Sequence, residues 1–210
     1  MFPFPIATPQ GCNIQTFYGF GTNVGNSSQR TWSKPVGVSH VYMMLIGAGG
    51  NGDGTNGGGS GAVTVWYGAA QHVPNLVYVV AANQHPSQIY FDSGQVRRLL
   101  NAEAASGATA GTATTAPAFA ASGFYKSTAG QNGSSGTVSA STTTFLAAGG
   151  NESIANYGYS SVDNGFFMLQ PIIVGVGAGD TKNGGIGCGG GNSGAGSHLG
   201  GPGMVLIASW

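Results

Sequence analysis

Val38-Ser39-His40-Val41-Tyr42-Met43-Met44-Leu45-Ile46, followed at once by Gly47-Ala48-Gly49-Gly50, is the stretch whose reading decides the fold. From Val41 to Ile46 every position is apolar, so an extended chain here carries hydrophobic groups on both faces. A strand at a solvated sheet surface alternates apolar with polar, whereas one that is apolar on both faces is covered on both sides. The segment therefore predicts a central strand between two layers.

Outward from this strand, further extended segments follow. Ala62-Val63-Thr64-Val65-Trp66-Tyr67 and Leu76-Val77-Tyr78-Val79-Val80, joined by a polar stretch with Pro74, predict a hairpin with a medium loop. Gln88-Ile89-Tyr90-Phe91 and Val96-Arg97-Arg98-Leu99-Leu100 predict another, turned at Asp92-Ser93-Gly94. From Ala102 to Ala148 small residues dominate, which predicts short strands and exposed loops, with a strand over Thr137 to Ala147 and a turn at Asn132-Gly133. Phe166 to Leu169 and Ile172 to Val174 bracket Pro171, which belongs at an edge or a bulge. Met204 to Ala208 closes the domain, and the first and last core strands are expected to be neighbours.

No long segment combines apolar spacing of three and four with freedom from Gly, Ser and Thr. The expected fold is all-β: an antiparallel β-sandwich, jelly-roll-like, with long ordered Gly-rich loops. Residues 1–30 read as an N-terminal arm with a first short strand, and 31–210 as a glycine-rich sandwich domain.

Charge is scarce. Six basic and six acidic residues make 6% of the chain, against about 25% in ordinary soluble domains. With zero formal net charge there is little repulsion between copies, so self-association is expected. Arg97 and Arg98 are the only adjacent cations, too few to neutralise several phosphates, and no nucleic-acid partner is expected. The runs Val41 to Ile46 and Phe166 to Val176 fall short of the roughly 18 residues of a membrane helix, so no membrane span is expected. Met1-Phe2-Pro3-Phe4-Pro5-Ile6 lacks the basic start of a secretion signal. It reads as an extended apolar arm whose Phe2, Phe4 and Ile6 lie on a neighbouring subunit. Cys12 and Cys188 can pair or stay free, and the missing signal favours free thiols.

Motifs for catalysis fail on context. Gly52-Asp53-Gly54-Thr55-Asn56-Gly57 matches G-x-G-x-x-G, but a strand follows where a phosphate-binding helix N-terminus is needed. Ser193, in Gly191-Asn192-Ser193-Gly194-Ala195, is one residue short of a nucleophile elbow. His40, His72, His85 and His198 are dispersed, and His40 reads as a structural core residue rather than a metal ligand. Gly49-Gly50-Asn51-Gly52-Asp53 nearly matches a calcium repeat that never recurs. No two acidic residues lie close in sequence as a glycosidase pair. Neither catalysis, cofactor nor metal is expected. Tyr157 and Tyr159, beside Asn156 and Asn164, can stack and hydrogen-bond a sugar or protein partner; in the other reading they rim a core that holds Phe166 and Phe167.

Two glycine tracts remain, Gly47 to Gly61 and Gly184 to Gly203. Ordering a glycine costs about 0.5–1 kcal/mol more than ordering an alanine, so ordered tracts need an offset. Close main-chain approach, as in polyproline-II-like packing, supplies one. Flexible loops are the other reading.

Trp32-Ser33-Lys34-Pro35-Val36-Gly37-Val38-Ser39-His40-Val41, then Leu45-Ile46-Gly47-Ala48-Gly49-Gly50, a strand after Gly57-Gly58-Gly59-Ser60-Gly61, and Gly200-Gly201-Pro202-Gly203-Met204-Val205-Leu206-Ile207 come in an order that resembles the glycine-rich domain of bacteriophage tail fibres and related virion proteins. The resemblance runs from about Thr31 to Ala208 and departs at Ala81 to Ser87, where the family carries a Gly-rich turn. It implies a β-sandwich on a virus particle, often multimeric, with variable loops for attachment and no catalytic residues. The expected function is that of a virion structural protein, a capsid or tail decoration or fibre component. Its partners would be other copies of itself, as a trimer or higher oligomer, and other virion proteins. The alternative is a receptor-binding, lectin-like adhesin tip that recognises a host glycan or surface protein.

Overall fold

The computed structural model describes residues 11–19, 29–135, 156–157, 176–177, 183–193 and 196–210. The described chain is all-β, built on two antiparallel sheets. One sheet has five strands in the order β1 (Asn13–Tyr18), β13 (Met204–Ser209), β3 (His40–Ile46), β4 (Val63–Ala69) and β8 (Gly123–Thr128). The other has four, in the order β2 (Gln29–Ser33), β5 (Leu76–Val80), β6 (Ser87–Tyr90) and β7 (Arg98–Ala102). Two-residue ladders join β9 (Asn156–Tyr157) to β10 (Val176–Gly177), and β11 (Asn192–Ser193) to β12 (Gly196–Ser197). No helix among the described residues is long and apolar enough to cross a membrane.

The strand that decided the reading sits in the middle of the five. β3 pairs with β13 on one side and β4 on the other. Its side chains alternate between two cores, as the period of two requires. Val41, Met43 and Leu45 pack with Phe17, Trp66, Val205 and Ile207 against Trp32, Val77, Val79, Ile89 and Leu100 of the second sheet. Tyr42, Met44 and Ile46 turn the other way, into a cluster with Val63, Val65, Met204, Leu206 and Cys188. The first core is the layer between the sheets, a sandwich-like arrangement. Ser87 ties the layers together: its buried hydroxyl on β6 donates to the Ile46 carbonyl on β3 at 2.6 Å.

Two sequence expectations change. The segments now seen as β4 and β5 do not form a hairpin, because they belong to different sheets. A 3-10 turn at Ala70–His72 separates them. Lys34 holds the turn where the chain crosses between layers, its ammonium donating to the carbonyls of Ala70 at 2.9 Å and Val73 at 2.7 Å. Asn132-Gly133 is not a turn either. Its polar groups are taken up at long range: the Asn132 side-chain oxygen accepts the Ala110 N–H, and the Gly133 N–H donates to the Ala108 carbonyl, both at 2.8 Å.

The β6–β7 hairpin and the pairing of β13 with β3 follow the sequence reading. Asp92 organises the hairpin turn by accepting the N–H groups of Val96 at 3.1 Å and Arg97 at 2.9 Å. Cys12 and Cys188 are both free thiols. They lie toward opposite ends of β13, Cys12 preceding Asn13, which pairs with Ser209, and Cys188 beside Gly201. The strands expected over Thr137 to Ala147 and around Pro171 lie outside the described residues, as do Phe2, Phe4 and Ile6.

Candidate functional site

At one end of the sheets the glycine tracts meet. The segment 57–62 lies at their centre and bonds to four others through the main chain. Gly50 N–H donates to Gly59 O at 2.9 Å, Gly58 N–H to Gly190 O at 2.8 Å, and Gly61 N–H to Gly187 O at 2.8 Å. Gly59 N–H donates to Gly107 O at 2.8 Å, and Ser60 N–H to Gln131 O at 2.8 Å. The outer segments bond to one another as well, Gly49 N–H to Gly201 O at 2.9 Å and Gly130 N–H to Gly111 O at 2.8 Å. These bonds answer the question of where the polar main chain of a buried, side-chain-poor region is satisfied.

Glycine is required for the close approach itself. A Cβ on Gly49 would sit inside the van der Waals envelope of the Cys188 carbonyl, and one on Gly201 inside that of Gly185. Backbone atoms form both obstacles, so no side-chain rotation relieves them. Ser60, fully buried in the lattice, accepts the Gln131 N–H on its hydroxyl oxygen at 2.8 Å.

A polar seam runs from the lattice along β7. Thr64, buried on β4, donates to the Asn101 carbonyl at 2.7 Å and lies 2.9 Å from the Ser127 hydroxyl. Thr114 donates to the same Asn101 carbonyl at 3.0 Å, and its hydroxyl is 2.7 Å from that of Tyr125. On β6 and β7 a directed chain continues: Tyr90 O–H donates to Gln88, Gln88 Nε2 to Asn101 Oδ1 at 3.0 Å, and Asn101 Nδ2 to Glu103. Burial pushes the Tyr90 phenol above its ordinary range.

Beside this seam a half-open cleft of about 390 Å³ is lined by Arg98, Asn101, Glu103, Thr112, Thr115 and Pro117, among others. Sequence reasoning missed it, because the strand edge and the 112–117 segment share no local motif. The Thr-rich run Thr112 to Thr115 beside a predicted strand was the one available signal. The lining offers one carboxylate, one guanidinium and several hydroxyls, a set suited to binding polar ligands.

The residues singled out in the sequence fall as follows. Asn156 and Tyr157 lie in β9, where Tyr157 pairs with Val176, while Tyr159 and Asn164 lie outside the described residues. His40 is structural: its ring stacks on Tyr67 at 5.6 Å and Trp210 at 6.1 Å, with Nδ1 3.0 Å from the Ser39 hydroxyl. Asp53 serves its own loop, accepting the N–H groups of Thr55 at 2.8 Å and Asn56 at 2.7 Å, and these bonds lower its carboxyl below the usual range. Among the described residues no group of three or more His, Cys, Asp or Glu gathers as a metal site. The G-x-G-x-x-G stretch leads through the glycine lattice to β4.

No family model and no curated protein matches this chain.

Proposed function

We propose that this chain is a structural or adhesive component of a virus particle, a capsid or tail decoration or a fibre part, acting by subunit packing and surface binding. The observation that carries the reading is the main-chain lattice that joins the tracts near Gly49, Gly58, Gly190 and Gly201. Such a lattice uses its glycines in a rigid, uncharged block, which suits a mechanical or presenting role and contributes nothing to acid–base chemistry. The virion setting rests on the resemblance of Trp32 to Gly50 and Gly200 to Ile207 to tail-fibre glycine-rich domains. The chain crosses between the sheets after β1, β2, β4 and β7, which supports a jelly-roll-like winding with ordered glycine-rich connections. Electron microscopy of particles labelled through this chain tests the reading. Density at capsid or tail is expected, and a chain absent from purified particles overturns it.

A second reading, a receptor-binding tip for a host glycan or surface protein, is favoured by the polar cleft along β7. Glycan-array binding lost on Glu103→Gln or Tyr157→Ala would support it. An array and whole-cell assay with no signal would remove it.

A further inference from the structure

We infer that β1 is the contact through which two copies of this chain join, its outer edge, unpaired among the described residues, pairing antiparallel with the same strand of a second copy about a two-fold axis at Thr16. Gly19 N–H donates to Gly203 O, and these residues lie in register with the β1–β13 ladder, which runs from Asn13 opposite Ser209 to Tyr18 opposite Met204. Hydrogen-bonded pairs alternate along an antiparallel ladder, so Asn13, Gln15 and Phe17 bond to β13. Ile14, Thr16 and Tyr18 therefore turn their N–H and C=O groups to the outer edge. Among the described residues nothing bonds to them.

The edge is also bare of the devices that block pairing. Lysine, proline or an inward charge normally protects an edge strand. Of the four edge strands in the two sheets, β2 carries Arg30, β7 carries Arg98 and β8 carries Lys126, while β1 reads Asn-Ile-Gln-Thr-Phe-Tyr with no charge and no proline. Ile14 is 44% and Tyr18 41% exposed, on the same face as Thr16.

The strand is complementary to itself in one register. With Thr16 on the axis, Thr16 faces Thr16 of the second copy and Ile14 faces its Tyr18. Each outward-pointing N–H then meets an outward-pointing carbonyl. The side-chain pairs formed are threonine with threonine and aromatic with β-branched, both favourable across antiparallel strands. The two-fold makes the contact isologous and closed, joining two five-stranded sheets into one continuous sheet. A chain with zero formal net charge offers little long-range repulsion to this approach. The pairing does not depend on the particle in which the chain works, so absence from a virion leaves it standing.

The test is the mass of the full chain by sedimentation equilibrium and native mass spectrometry. Wild type is expected to form a concentration-dependent dimer. Thr16→Pro removes an N–H that points away from β13, and Thr16→Lys adds a gatekeeping charge; both are expected to give monomers with the wild-type circular dichroism. In a Cys12→Ser background, Thr16→Cys is expected to form an intermolecular disulfide on mild oxidation, since Cα atoms of a hydrogen-bonded pair lie about 5.5 Å apart. Ile14→Cys is expected not to, because its opposite residue is Tyr18. The cross-linking arm decides the matter even if the proline variant fails to fold. A wild-type chain monomeric at every soluble concentration, a trimeric mass, a dimer untouched by both substitutions, or equal cross-linking at 14 and 16 would each overturn the proposal.

Discussion

The main-chain N–H of Gly49 donates to the carbonyl oxygen of Gly201 at 2.9 Å, joining the two glycine tracts edge to edge. A Cβ at Gly49 would collide with the Cys188 carbonyl, and one at Gly201 with the Gly185 carbonyl. Gly201→Ala and Gly49→Ala must shift backbone, and we expect each to destabilise by at least the ~1–3 kcal/mol typical of overpacking. For a chain of this size that lowers Tm by roughly 2–4 °C per kcal/mol. Gly94→Ala is the control, since an added Cβ there meets only ordinary contacts, the nearest at 3.4 Å. Thermal melts of the three variants check the expectation, and equal Tm values would remove the lattice's claim to rigidity.

Lys34 provides a second point of leverage, at the crossing between sheets. Its ammonium is bonded to the carbonyls of Ala70 and Val73 in a partly buried position. Lys34→Met keeps the stem but removes the charged donor, leaving two carbonyls without it. Hydrogen bonds to charged groups contribute about 1.5–3 kcal/mol, with the lower end expected at a partly exposed site. Urea denaturation should show a lower midpoint with an unchanged m-value.

How much of this was legible in the sequence depended on whether the information was local. Val41 to Ile46 announced a doubly covered strand because its periodicity is carried by six consecutive side chains. Asp92-Ser93-Gly94 announced its turn because Asp92 bonds to residues four and five positions on. The partners of β4 and β5 were not legible. Alternation reveals which faces are buried, yet nothing in Ala62 to Val80 tells that Lys34, far upstream, holds the turn that sends β5 to the other sheet. Asn132-Gly133 has the local preference of a turn, overridden by bonds to Ala110 and Ala108. The cleft was hidden for the same reason, since Arg98, Glu103 and Thr112 converge only after the second sheet forms.

The Asn101 carbonyl accepts from two hydroxyls, those of Thr64 and Thr114. Either alone keeps the buried oxygen satisfied. Thr64→Val and Thr114→Val should each cost at least about 0.5–1.5 kcal/mol, the net worth of one hydrogen bond, since each hydroxyl also contacts Ser127. The double variant leaves the carbonyl without either hydroxyl, so its loss should exceed the sum of the singles by about 0.5–3 kcal/mol, the range for residues sharing a partner. A double-mutant cycle by chemical denaturation measures this coupling, and strict additivity would mean that another group takes over the carbonyl.

Asp92 sets the acid response of the β6–β7 hairpin. Its carboxylate accepts the N–H groups of Val96 and Arg97 and lies 3.7 Å from the Arg97 guanidinium. The backbone bonds, ahead of Arg97, hold its carboxyl below the ordinary value of 3.8. Because the folded-state value is depressed, the contribution is fully present above the unfolded-state value and fades as pH falls through the folded one. The turn should therefore be intact at neutral pH and loosen only below about pH 4. Amide chemical shifts of Val96 and Arg97 followed down in pH should move together, with an inflection under the usual carboxylate range. In Asp92→Asn that shared inflection should vanish, because the amide has no charge to lose and can still accept through its oxygen.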